Sequence, residues 1–359
     1  MDVPEAVALS LVEGVTRSKV AACLKEVSAE QPAGSSESLA GEVQRRLAIP
    51  AESMAAARGR TAQTLADARR AGLEPVVWQD GRYPPLVAEI HDPPPVLWVR
   101  GRCETLAAPA VALVGARAAS AQALETARTL GAGLASRGVV VVSGLARGVD
   151  SAAHRGALEA GGLTVGVLGS GGDRLYPPEH ESLAAEMAQS GAVVTELAPG
   201  VPPLPEHFPL RNRIISGLVR ALVVVEAAQR SGSLITARLA LEQGREVMAV
   251  PGLALSGRNR GAHALIRDGA KLVETVDDIL EELPDLVRER AAPVDEGNLL
   301  LENNLTVSMR SGEPCSVDEL ADRTGLSPGV LLAALLELEL AGRVRRAGGG
   351  RFVLAGRRW

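Results

Sequence analysis

Between Val111 and Gly269, short β-branched runs alternate with helical stretches, and the turns that close the runs carry glycine and arginine. Val139-Val-Val-Val142 and Leu222-Val-Val-Val225 show no apolar/polar alternation. A strand that buries both faces belongs in a parallel sheet covered by helices on either side. Candidate strands lie at 111–115, 139–143, 163–168, 192–196, 221–226 and 246–250. Ligands of such sheets bind in the crevice beyond the carboxyl ends of the strands. Whatever this chain recognises is therefore expected at the turns.

Those turns point to an anion. Gly115-Ala-Arg117 closes the first run with a single glycine, so the G-x-G-x-x-G dinucleotide fingerprint is missing and a nicotinamide or flavin cofactor is not expected. In Ser143-Gly-Leu-Ala-Arg-Gly148 two glycines, Gly144 and Gly148, flank small residues. Successive amides there predict an anion-binding nest, with Arg147 adding charge and Asp150 capping the next helix; the alternative is an ordinary strand-to-helix turn. Arg211-Asn-Arg213 follows Phe208-Pro209. With Asn212 holding a turn, at least one of Arg211 and Arg213 is expected to clamp a phosphate. Ser231-Gly232-Ser233 and Thr236 offer hydroxyls and helix-start amides to another anion. Each signal is weak alone; together on one sheet edge they predict a ligand with several phosphates.

Asp150, His154, Glu196 and Glu226 are the candidates for acid–base work. A cap, a packed imidazole and an ion-pair partner account for them as well, and no Walker, nucleophile-elbow or metal-carboxylate pattern occurs. No catalytic residue, metal or cofactor is expected.

The 359 residues leave room for about two or three domains. Residues 1–75 read as a small helical domain (SAM/helix-hairpin-helix-like), in which Glu13-Gly-Val-Thr16 resembles a DNA-binding hairpin turn with threonine at its second glycine position. Helix packing is the favoured role there. Residues 76–283 form the Rossmann-like core, entered through proline-rich segments expected to exclude helix, with Tyr83 and Trp98 as packing anchors. An acidic linker follows at 284–297. Residues 298–359 carry a winged-helix pattern: a helix that Ser316 and Glu319 can cap, a second helix at 329–340 and a basic hairpin. The second helix lacks arginine, lysine, asparagine and glutamine to read base edges, which favours protein contact. A net charge of −5 argues against nucleic acid, though binding follows the local field rather than the total. No apolar run spans a bilayer, the N-terminus lacks a signal-peptide start, and Cys23, Cys103 and Cys315 are far apart. A cytoplasmic protein away from membranes is expected.

A series of ordered motifs resembles the bacterial DNA-processing protein A family (DprA, also called Smf). They are Tyr83-Pro84, Ile90-His-Asp-Pro93, Val114-Gly-Ala-Arg117, Ser143–Asp150 with Ala153-His154, Tyr176-Pro177, Phe208–Ile215, Glu226 with Ser231-Gly-Ser233, Val250-Pro-Gly252 and Leu265–Ala270. The resemblance implies a Rossmann-like core that binds single-stranded DNA, protects incoming DNA and helps load a RecA-type recombinase in natural transformation. It implies phosphate contacts from Arg117, Arg147, Arg211 and Arg213, and a homodimer formed around His263, Ile266 and Leu272. Pro178 and His180 stand where the family often has lysine and asparagine. A low aromatic content of 2% predicts binding that is mostly electrostatic. The rival reading is a nucleotide-phosphate-processing hydrolase on the same kind of core. Its P-G-G-x-G-T-x-x-E run would place an acid three residues after Thr236, where this chain has Leu239.

Overall fold

The computed structural model describes residues 1–30 and 38–283, and beyond them 309, 315–324, 326, 329, 331, 332, 335, 338, 344–347 and 351–354. The chain divides into two compact units, Met1–Val287 and Arg288–Trp359.

The first unit opens with helices α1 (Val3–Ser10), α2 (Arg17–Glu30), α3 (Leu39–Arg46) and α4 (Ala51–Arg70). Asp2 starts α1 by accepting from the Glu5 amide at 2.8 Å, and Ser38 starts α3 by accepting from Gly41 at 3.1 Å. Their apolar faces do not close on themselves. Leu9, Leu24 and Val43 share one cluster with Val76, Leu97 and Val194 of the sheet.

The chain then passes through β1 (Glu74–Val77), α5 (Pro85–Glu89) and β2 (Val96–Gly101). The expectation that prolines exclude helix here is corrected by α5. Pro85 takes its first position, where an amide would have no intrahelical partner to lose. Tyr83 and Trp98 are buried, and the Tyr83 hydroxyl donates to the Pro94 carbonyl at 2.7 Å.

Strand and helix alternate from there on. They are β3 (Ala110–Gly115), α6 (Ala121–Ser136), β4 (Val140–Ser143), α7 (Val149–Glu159), β5 (Thr164–Val167), α8 (Glu181–Ser190) and β6 (Ala192–Thr195). Then come α9 (His207–Gly217), β7 (Ala221–Glu226), α10 (Ser233–Glu242), β8 (Glu246–Ala249), α11 (Arg260–Arg267), β9 (Lys271–Leu272) and α12 (Val276–Glu281). The sheet order is β1-β2-β6-β5-β4-β3-β7-β8-β9. Neighbours from β6 to β9 run parallel, while β2 joins β6 and β1 joins β2 antiparallel. Alternate residues of β3 feed two apolar layers, Ala112 and Val114 on one face, Val111 and Leu113 on the other. This is the parallel, helix-covered sheet that the double-sided apolar runs require.

In the second unit, α13 (Val317–Thr324) starts in a capping box: the Glu319 amide donates to the Ser316 hydroxyl at 3.2 Å and the Ser316 amide to the Glu319 carboxylate at 2.9 Å. β10 (Val344–Ala347) and β11 (Arg351–Leu354) pair antiparallel. Leu320, Leu331, Leu335, Leu338, Val344 and Phe352 form its core. The linker at 284–297, the loop at 31–37, most of the helix at 329–340 and arginines 343, 357 and 358 lie outside the described residues.

Candidate nucleic-acid interface

The strand order reverses at β3, which pairs with β4 on one side and β7 on the other. A cleft of about 500 Å³ opens beyond these carboxyl ends, walled by the turn after β3, by α9 and by the start of α10. It brings together Gly115, Arg117, Arg211, Asn212, Ser231, Gly232, Ser233 and Thr236. An adjoining recess shares Arg117 and Arg211 and adds Gly144 and Arg147.

Glu226, at the end of β7, shapes the first wall. Its nearly buried carboxylate accepts from the Ser120 amide at 3.0 Å and from the Ser120 hydroxyl at 2.6 Å, while its carbonyl accepts from the Ala116 amide at 2.8 Å. The loop is held at both ends, and Arg117 stands exposed between them. Its guanidinium lies 5.4 Å from the centre of the Phe208 ring, within cation–π range. Tyr176, 41% exposed, sits beside Phe208 with ring centres 5.7 Å apart. Although the aromatic content is low, of two tyrosines and two phenylalanines in the chain one of each is in the cleft. The signal was local, since each directly precedes a proline.

Arg211 and Arg213 have opposite fates. Both lie inside α9, not in a turn before it. Residues two apart on a helix point about 200° away from each other. Arg211 reaches under the β4 turn, where its guanidinium donates to the carbonyls of Gly144, at 2.6 Å, and Val167, and its Nε to Asn212 Oδ1 at 3.1 Å. Burial pushes its pKa down to about 10, against the pull of Asp150 and with the repulsion of Arg117, so it stays a cation at neutral pH. A Cβ on Gly144 would collide with this guanidinium, so a side chain there would have to push Arg211 off its carbonyls. Arg213 instead binds Glu196 at 2.7 Å and Asp92 at 2.9 Å and does not line the cleft. Burial opposes its charge, but the two carboxylates outweigh burial and hold its pKa above the ordinary guanidinium value. It ties α9 to the end of β6 and to the proline-rich lead-in.

The turn after β4 is not an open nest. Asp150 does not cap α7; Gly148 holds that position, and Asp150 lies in the first turn. Its buried carboxylate turns back and accepts from the Gly144 amide at 3.1 Å and the Ala146 amide at 3.2 Å. Burial raises its pKa, with Arg211 and the two amides opposing. The Ser143 hydroxyl donates to the Leu113 carbonyl at 2.6 Å and is fully buried. Gly148 has a φ of +81° and a backbone so close to Ala116 and Arg117 that no Cβ fits. What this turn offers the recess is the exposed Arg147. Beneath it His154 is buried, its Nδ1 2.6 Å from the Thr164 hydroxyl, which itself donates to the Val141 carbonyl. Burial first, and then His180 and Arg211, push the His154 pKa down to about 3.

The start of α10 is closed differently. Its Leu234 and Ile235 amides donate to the Ser231 and Gly232 carbonyls, each at 3.1 Å, and the Ser231 and Ser233 hydroxyls lie 2.7 Å apart. Ser231, Ser233 and Thr236 line the cleft at the positive end of the helix dipole. Asp150 is the one carboxylate among the described residues lining the cleft. His263, Ile266 and Leu272 lie apart from it, on α11 and β9. His263 contacts Gly252 at 3.1 Å, Ile266 packs against the core, and Leu272 is 40% exposed.

Residues 74–284 match the family model described as DNA recombination-mediator protein A, and residues 309–350 match the DprA winged helix domain. The chain belongs to the DNA recombination-mediator protein A family. Protein Smf of Escherichia coli is 42% identical over 276 residues, covering 75% of this chain and 74% of that one. DNA processing protein DprA of Streptococcus pneumoniae is 46% identical over 203 residues, covering 56% of this chain and 72% of its own. The X-ray structure of the pneumococcal protein aligns with a TM-score of 0.65 at 35% identity, covering 79% of this chain and 98% of that one. A structure of DNA processing protein A from Helicobacter pylori, described for its single-stranded DNA binding mode, aligns with a TM-score of 0.54 at 26% identity, covering 60% of this chain and 98% of its own. No helix among the described residues is long and apolar enough to cross a membrane.

Proposed function

We propose that this family member binds single-stranded DNA in the cleft at the β3/β7 reversal, protects incoming strands and helps load a RecA-type recombinase in natural transformation. The observation that carries the reading is Arg117 over Phe208, with Tyr176 beside it, on a wall shared with Arg211 and the α10 hydroxyls. Arginines and hydroxyls suit a phosphate chain, and an aromatic pair suits bases that are not locked in a duplex. The Helicobacter pylori relative supports the same ligand. Among the described residues the one carboxylate lining the cleft, Asp150, is already engaged by two amides, which favours binding over the hydrolase reading. The division into helical residues 1–75, core 76–283, linker 284–297 and winged helix 298–359 is part of this proposal, with the winged helix contacting protein.

Fluorescence anisotropy with single- and double-stranded oligonucleotides over a salt series tests it. Tighter binding to single strands is expected, with affinity falling as salt rises by about 0.7 log units per log unit for each neutralised phosphate. Equal binding to both, or none at low salt, overturns it. Recombinase loading is read by whether the protein speeds RecA ATPase on strands already coated with single-strand-binding protein. The homodimer is proposed to form around the exposed Leu272, with Ile266 and His263 behind it. Light scattering should report a dimer for the wild type and a folded monomer for Leu272→Glu.

A further inference from the structure

Arg117, Arg147 and Arg211 are the arginines of the recess, and each meets a different partner. Arg117 lies over an aromatic ring and Arg211 is clasped by backbone carbonyls. Arg147 is instead ion-paired: its Nε donates to the Glu179 carboxylate, with 62% and 47% of the two side chains exposed. Glu179 is not there by loose encounter. It sits in the turn Pro178–His180, which is pinned to the β4 turn because His180 is buried with Nδ1 2.9 Å from the Leu145 carbonyl. The fold thus holds an acid against the one rim cation that the β4 turn contributes.

We propose that Glu179 is a resident counter-anion that occupies Arg147 until a phosphate of the strand displaces it, and so sets how tightly the groove grips. The proposal rests on the single-strand reading given above. An exposed ion pair exchanges readily, so the carboxylate weakens the site without blocking it. The hydrogen bond between them holds Arg147 above and Glu179 below their ordinary pKa values, so both stay charged across neutral pH.

The salt dependence carries the signature. A phosphate neutralised by a free arginine releases a counterion from the strand. When the phosphate displaces Glu179, the freed carboxylate recruits a cation from solution, and that release is cancelled. Arg147 then contributes affinity but little salt slope. Removing the carboxylate restores the slope.

The test is anisotropy with a fluorescent oligo-dT on the full chain, comparing wild type, Glu179→Gln, Arg147→Ala and the double variant across a potassium chloride series. Glu179→Gln is expected to bind about 3- to 10-fold more tightly at low salt, with a log–log slope steeper by about 0.7. In the Arg147→Ala background the same substitution should change affinity less than about twofold. Unchanged or weaker binding by Glu179→Gln overturns the proposal, as does an equal gain without Arg147. A wild type that binds no single strand even at low salt brings down the reading of the cleft itself, which is a distinct result.

Discussion

The turns after β4 and β7 look alike in sequence, small residues and glycine opening a helix, yet the structure closes them with different chemistry. At β4 a buried carboxylate, Asp150, fills the amides of Gly144 and Ala146. At β7 two neutral hydroxyls, Ser231 and Ser233, meet each other 2.7 Å apart. A carboxylate fixed among amides repels a phosphate and cannot step aside. A hydroxyl pair can turn, and each member can donate or accept. Glycine-rich turns therefore mark where an anion can sit only if no side chain of the protein has taken the place. Under the proposed single-strand reading, phosphate recognition would pass from backbone amides to arginines and hydroxyls.

The largest effect should come from breaking the closed turn. Asp150→Ala leaves two buried amides unpaired and Arg211 without its neighbouring carboxylate, so unfolding in urea should show a loss of roughly 2–4 kcal/mol. A variant as stable as wild type that binds strands more tightly would mean that the turn is an open nest after all. Next comes the aromatic wall that both turns serve. Phe208→Ala should weaken single-strand binding by about 1–3 kcal/mol in anisotropy, and undiminished affinity would leave electrostatics alone in charge.

A smaller effect separates the turns by pH. The His154 pKa of about 3 under the β4 turn lies below the ordinary 6.5. Between those values the unfolded chain takes up a proton that the folded chain refuses. This contribution to stability is complete above pH 6.5 and is lost as pH falls, reaching roughly 2 kcal/mol by pH 5. Proton NMR should find the His154 ring still neutral at pH 4.5; its titration near pH 6 would refute the burial. The smallest effect belongs to the open turn. Ser233→Ala should reduce single-strand affinity by roughly 0.5–1.5 kcal/mol with little change in the urea midpoint, and a larger loss of stability than of affinity would make the hydroxyl pair structural.

Sequence carried the central strands because Val139–Val142 and Leu222–Val225 are apolar on both faces, a pattern that depends on no neighbour. β1 and β2 were missed because their pairing is antiparallel, added at the rim beside β6, and their flanking prolines read as turn. β9, two residues long, has no periodicity to detect. Arg117 was legible because a strand end fixes the direction of the next residues. Arg211 and Arg213 could not be told apart: treating 211–213 as a turn hid the helical rotation that sends one to the cleft and the other to Asp92 and Glu196. Asp150 was misread because a carboxylate near a helix start can point along the helix or back into the preceding turn, and only packing chooses.

Order of synthesis acts on the core that Leu9, Leu24 and Val43 share with Leu97 and Val194. The chain is made from its N-terminus, so α1–α4 leave the ribosome well before β6 exists to cover them. β1 and β2 can meet that apolar face once about residue 101 has emerged, but the layer is completed on its β6 side only at about residue 195. Newborn chains in that interval hold a half-covered apolar layer open to chaperones and proteases, and it closes only when β6 is added beside β2.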